Sequence, residues 1–177
     1  MEVDTVPFGC WRRDVFDKYG LFDVRLVRNQ DIEFNKRILR GGGKIYIVPD
    51  TYCVYLARET FKALALNCFQ NGKWNVLTVH YTKQFDSLSL RHFVPMLFVC
   101  SLIVPLFVGM FYSQTMYVSL ASMLMYLFSL MLICGRLSYA KKLNIFYLLS
   151  SFLVLHFSYG CGSIAGLWSV LWEKSNK

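Results

Sequence analysis

Residues 92–135 read HFVPMLFVCSLIVPLFVGMFYSQTMYVSLASMLMYLFSLMLICG, 44 consecutive positions without Asp, Glu, Lys or Arg. A charged side chain near the middle of a bilayer costs at least ~2.5 kcal/mol, so a charge-free run of this length is what lipid selects. As one α-helix the run would extend ~66 Å, about twice the ~30 Å hydrocarbon thickness. It must cross twice. The most polar point is Tyr112-Ser113-Gln114-Thr115, which divides it into spans near 93–112 and 116–135. Pro95 and Pro105 fall in the first, where a neighbouring helix can satisfy freed carbonyls. A second charge-free run, Leu143–Trp172, supplies a third span near 145–168. The expected layout is a polar part, residues 1–91, a transmembrane region, 92–172, and a short tail, 173–177.

The totals agree with an integral membrane protein: 55% hydrophobic residues, 17% aromatic, and a mean hydropathy of +0.39. The net charge is +8. Residues 1–91 hold 14 Lys/Arg and 10 Asp/Glu, a surplus of four positive charges. These basic residues are scattered, with no run longer than two, which argues for anionic lipid headgroups rather than nucleic acid as the partner. The six cysteines contain no C-x-x-C spacing, so neither a disulfide framework nor a zinc site is indicated. Arg136, Lys141 and Lys142 lie between the second and third spans without an acid. That connector is expected to be cytoplasmic, and residues 1–91 with it, in a multi-pass protein of the inner or plasma membrane.

In the polar part, residues 12–19 carry Val15, Phe16 and Tyr19 at helical spacing, with Gly20 placed to end the helix. Asp31–Arg40 reads as a second helix, acids in its first turn and Arg37 and Arg40 in its last. Gly41-Gly42-Gly43 follows as a turn. Lys44–Val48 and Thr51–Leu56 read as strands separated by Pro49-Asp50. Phe61, Leu64, Ala65, Cys68 and Phe69 then mark an amphipathic helix near 60–71, capped by Thr60 and suited to lie at the membrane interface. In the third span, Gly162 and Gly166 form a G-x-x-x-G spacing, open to packing of the protein's own helices or to dimer formation. His156 is a polar group at membrane depth, either hydrogen-bonded to a neighbouring helix or placed along a path for lipid or polymer.

Three segments together resemble the family 2 glycosyltransferases, particularly bacterial membrane-bound members that build exopolysaccharides such as succinoglycan. Residues 6–23, VPFGCWRRDVFDKYGLFD, look like the family's strand-turn-helix on the acceptor side, ending in a Gly-x-Phe-Asp signature. Residues 28–37, RNQDIEFNKR, stand where the family has its Glu-Asp catalytic motif. Residues 70–74, QNGKW, are similar to the Gln-x-x-Arg-Trp motif of processive members, with Lys73 in place of Arg. The resemblance implies an α/β fold over residues 1–91, the acceptor half of a GT-A-like domain, followed by the three membrane helices.

It also implies an inverting transfer from a nucleotide-sugar to a growing exopolysaccharide or lipid-linked saccharide. Such chemistry needs a carboxylate within ~3 Å of the acceptor hydroxyl's proton. By resemblance Asp31 is that general base, with Glu33 in support. Glu33 lies two residues on, about 200° around the helix, so the two cannot share one position. Both acids would also stabilise a helix N-terminus without any catalysis. Gln70, Lys73, Trp74 and Arg28 are implied as contacts to sugar or diphosphate. Lys lacks the bidentate fork of Arg, and Trp74 and Lys73 also suit a membrane interface. Arg12 and Arg13 could meet phosphate or simply open a solvated helix.

Family members carry a nucleotide-binding half with an Asp-x-Asp motif for Mg²⁺ or Mn²⁺. None precedes Met1, so no cofactor is expected on this chain alone. The expectation is a C-terminal portion, inactive by itself unless a second chain supplies the missing half. The alternative is a non-catalytic membrane subunit or scaffold that docks a separate catalytic chain.

Overall fold

A computed structural model of the chain describes residues 1–6, 9–85 and 90–175. Pro7 and Phe8 of the first motif, and Asn176 and Lys177 of the tail, lie outside the described residues. The elements are β1 (Glu2–Val3), α1 (Arg13–Tyr19), α2 (Gln30–Arg40), β2 (Ile45–Tyr46), α3 (Phe61–Thr82), α4 (Val94–Val108), α5 (Met116–Lys141) and α6 (Ile145–Ser175). The chain is therefore mostly helical. Its only described sheet pairs β1 with β2 antiparallel, Glu2 opposite Tyr46 and Val3 opposite Ile45.

The expected α/β character reduces to that ribbon, and an acceptor half of GT-A type is not shown. Of the strand expected over Lys44–Val48, only Ile45–Tyr46 forms. The strand expected over Thr51–Leu56 does not form; residues 51–59 have no regular structure and are exposed throughout. A strand exists through its ladder. Ile45 and Tyr46 find one in Glu2 and Val3, and the Ile47 amide reaches the Met1 carbonyl at 2.9 Å. Beyond that point the chain meets no free edge.

The small core of the polar part forms as the helical spacing requires. Phe34 and Ile38, one turn apart on α2, are buried with Ile45 against Val15, Phe16 and Tyr19 of α1 and Trp11. Phe16 stacks on Phe34 at 5.2 Å between centroids, and Trp11 meets Phe34 edge-on at 5.5 Å. Gly20 ends α1 at φ 79°, its amide on the Phe16 carbonyl at 2.8 Å. Gly20 tolerates this left-handed angle because it lacks a Cβ. Gly41-Gly42-Gly43 is the expected turn, with Gly42 at φ 78°.

Three helices are long and apolar enough to cross a membrane: Arg91–Val108 with its leading 3₁₀ turn, Ser113–Lys141 likewise, and Ile145–Ser175. The break falls at the polar point expected, a 3₁₀ turn over Ser113–Thr115. The second and third spans run further than 135 and 168, to Lys141 and Ser175. Two hydroxyls reach α4 carbonyls near Pro105: the Ser119 hydroxyl of α5 meets that of Leu102 at 2.7 Å. The Thr115 hydroxyl, in the turn leading into α5, reaches the Pro105 carbonyl at 3.0 Å. His156 takes the structural option open to it, since its Nδ1 lies 3.1 Å from the Tyr126 hydroxyl of α5.

The helix at 60–71 departs most from expectation. Thr60 caps it, accepting the Ala63 amide at 3.2 Å, but α3 continues eleven residues past 71 and packs along α6. The partners rise in step, Phe69 with Gly162, Lys73 with Gly166 and His80 with Glu173, so the two helices run parallel. Three glycines make the approach possible. A Cβ on Gly72 would strike the Tyr159 carbonyl, one on Gly162 the Phe69 carbonyl, and one on Gly166 would sit 2.7 Å from the Lys73 carbonyl. The G-x-x-x-G spacing therefore packs one of the protein's own helices.

Candidate functional site

The site grows from the turn before α2. Asn29 adopts φ 63°, ψ 18°, a left-handed conformation that Asn tolerates better than most residues. This turn aims two consecutive side chains at α3. Arg28 Nη1 donates to Asn71 Oδ1 at 2.6 Å and to Asn67 Oδ1 at 3.2 Å. Asn29 Nδ2 donates to Asn75 Oδ1 at 2.7 Å and to Thr78 Oγ1 at 3.2 Å. Asn75 Nδ2 in turn donates to the Tyr159 hydroxyl of α6. A continuous polar seam thus ties the polar part, α3 and α6 together.

The seam is absent from the motifs read in the sequence, yet it has a sequence signal. Asn67, Asn71, Asn75 and Thr78 recur at i, i+4, i+8 and i+11, one face of a helix. The implied sugar contact Arg28 is thereby occupied by two amide oxygens. That same contact brings two of the three quoted motifs together, because Asn71 belongs to the Gln70–Trp74 segment.

The two candidate acids separate by role. Asp31 is half-buried, and its Oδ1 accepts the Ile32 amide at 2.9 Å. Its Oδ2 has no hydrogen-bond partner among the described residues. Glu33 is buried and paired bidentately with Arg37, at 3.1 Å to Nε and 2.5 Å to Nη2. Arg37 also donates from Nη1 to the carbonyls of Tyr19 and Leu21, both at 2.8 Å. Glu33 holds the guanidinium that satisfies the end of α1, and its lone pairs are committed there. Of the Asp31-Ile32-Glu33 acids, one carboxylate is thus paired with Arg37 and the other bonds a backbone amide through a single oxygen.

Glu33 and Arg37 form one wall of a charged cavity of about 330 Å³, completed by Asp23, Arg25, Tyr81 and Gln84. Arg25 grips Asp23 through Nε at 2.9 Å and Nη2 at 2.7 Å. The hydrogen bond from this guanidinium holds the Asp23 carboxyl below its ordinary 3.8, against the opposing effect of partial burial. Gln84 Oε1 is buried without a partner among the described residues. Asp31 does not line this cavity.

The third motif divides across the faces of α3. Asn71 faces Arg28, while Gly72 and Lys73 face α6. Lys73, Leu77 and Tyr81 line a separate cleft of about 730 Å³ against Trp168, Trp172 and Glu173 of α6. Gln70 and Trp74 are half-buried, and no side-chain hydrogen bond is found for either among the described residues. Arg12 pairs with Asp14 at the exposed start of α1. No protein-family model, no curated protein and no solved structure matches this chain.

Proposed function

We propose that the chain forms the acceptor side of a membrane-bound glycosyltransferase of family 2 type, extending an exopolysaccharide or a lipid-linked saccharide. The observation that supports this reading most is the Arg28–Asn71 contact at 2.6 Å. It joins the Arg28–Arg37 and Gln70–Trp74 motifs, 43 residues apart in sequence. The turn carrying Asp31 is held by that contact, and one carboxylate oxygen of Asp31 is left open. In this reading Asp31 takes the proton of the acceptor hydroxyl as its oxygen attacks the anomeric carbon. Gln70 and Trp74 flank the acceptor, Trp74 by stacking on a sugar face. Glu33 acts only through Arg37. The donor nucleotide-sugar and its Mg²⁺ or Mn²⁺ belong to the nucleotide-binding half of such an enzyme. Phe61 stacks on Tyr147 at 6.4 Å, so α3 starts near the basic connector Arg136–Lys142, while the Arg28–Asn71 contact lies further along the parallel pair, level with Gly162–Gly166.

Membranes from cells expressing the whole gene product, supplied with radiolabelled nucleotide-sugars, test the reading. The expected result is label in lipid or polymer that falls at least ~100-fold in Asp31→Asn, the usual contribution of a general base. Transfer undiminished in that variant would overturn it. A second reading, a scaffold for a separate catalytic chain, draws on the bare apolar side chains of the polar part: Tyr52 is 92% exposed, Leu56 81% and Val24 95%. Large apolar exposure marks a surface that another molecule covers. That reading expects transfer to survive Asp31→Asn and to fail when the α3–α6 contact is broken.

A further inference from the structure

We propose that the cleft between α3 and α6 holds one molecule of an anionic phospholipid, its phosphate at the Lys73 ammonium. Lys73 is half-buried and has no carboxylate within ion-pair distance among the described residues. The acid that shares its cleft, Glu173, lies 3.5 Å from His80 Nε2 instead. A lysine packed into a helix pair without a counter-charge favours an anion that arrives from outside.

Position says what kind of anion. The Lys73 carbonyl lies against Gly166, nine residues before the end of the third span, about 13 Å along the helix. From that depth a lysine stem extends its ammonium toward the headgroup level. Trp168 and Trp172 line the same cleft and are 68% and 62% exposed. Exposed tryptophans one turn apart near the end of a span are side chains of the membrane–water boundary. The cleft therefore offers three things in the order a phospholipid needs them. Leu77 and the indole faces give an apolar wall for glycerol and the upper acyl chain, Lys73 gives a cation for phosphate, and about 730 Å³ gives room for a headgroup. Lys73 is the one Lys or Arg of the lining, and Glu173 lies 3.5 Å from His80 Nε2 rather than on Lys73, so a phosphate meets the ammonium directly and a headgroup without its own cation keeps that contact undivided.

The test is native mass spectrometry of the full chain in detergent, with dioleoyl phosphatidylglycerol or dioleoyl phosphatidylcholine added at equal concentration. The expected result is one phosphatidylglycerol retained per wild-type chain, in preference to phosphatidylcholine. Retention should fall roughly five- to tenfold in Lys73→Gln, persist in Lys73→Arg, and be unaffected in Lys62→Gln, at the exposed start of the same helix. Equal retention of the two lipids by the wild type overturns the proposal without reference to any variant. Undiminished retention in Lys73→Gln, or an equal loss in Lys62→Gln, overturns it too, the latter by showing a diffuse charge effect.

Discussion

Gly162 lies directly against the backbone carbonyl of Phe69, so closely that α3 and α6 touch through main-chain atoms. Gly72 on the opposite helix does the same against Tyr159, and Ser163 seals the crossing by donating to the Gly72 carbonyl at 3.3 Å. In a membrane environment, where lipid is as apolar as any side chain, close van der Waals contact of this kind is a main source of helix association.

Adding one methyl at that point should separate the pair. Gly162→Ala is expected to destabilise the fold by ~1–3 kcal/mol, the range for overpacking a close contact. Gly135→Ala, on α5 with nothing within 4 Å of its Cβ position, should be neutral or stabilising by up to ~1 kcal/mol. Thermal melts of the two variants in the same detergent, followed by circular dichroism, compare them directly. Equal melting temperatures would show that the crossing is not tight.

Arg28 is the clasp between the polar part and α3. Removing it in Arg28→Ala strips two charge-assisted hydrogen bonds, each worth ~1.5–3 kcal/mol before non-additivity. The expected outcome is release of residues 1–59 from the bundle while the three spans stay folded. Limited proteolysis should then cut in 47–59 and liberate the polar part, at a protease concentration that leaves the wild type joined to α3.

Glu33→Gln should act on stability and spare any chemistry at Asp31. The change leaves Arg37 without its carboxylate, though still held by the carbonyls of Tyr19 and Leu21. Breaking a largely buried pair costs up to ~3 kcal/mol; Arg37 is 29% exposed, so solvent lowers the figure. A shifted unfolding midpoint with unchanged transfer per folded molecule is the expected pattern.

The Asp23–Arg25 turn should be sensitive to acid. The folded carboxyl titrates below its ordinary 3.8, so the native state binds fewer protons than the unfolded chain in that range. Its contribution is fully present above about pH 4 and is lost as pH falls through the lowered value. The Arg25 amide, which donates to Asp23 Oδ1 at 3.0 Å, reports it. After correction for intrinsic rates, its exchange protection should be flat at higher pH and fall below about pH 4. Asp23→Asn should abolish that dependence.

Much of the local fold could be read from local signals, and the misreadings share one cause. The cap at Thr60, the stops at Gly20 and Gly41–Gly43, and the polar break at Ser113–Thr115 are each determined within a few residues, so sequence neighbours suffice. Thr51–Leu56 has the composition of a strand, but a ladder needs a partner, and partners are set by the rest of the molecule. Glu33 looked like half of an acid pair because its spacing from Asp31 was visible. Its bond to Arg37, one turn along the same helix, was equally local, but the shared hold of Arg37 on Tyr19 and Leu21 was not.

The membrane spans were determined by the sequence alone, because the cost of placing charge in hydrocarbon depends on composition and length, whatever the neighbours. What the glycines and asparagines do was decided only in three dimensions. Gly72, Gly162 and Gly166 become a contact surface, and Asn67, Asn71 and Asn75 a polar seam, only once α3 lies parallel to α6. The approach of two backbones is a property of a pair of helices, which no single helix encodes.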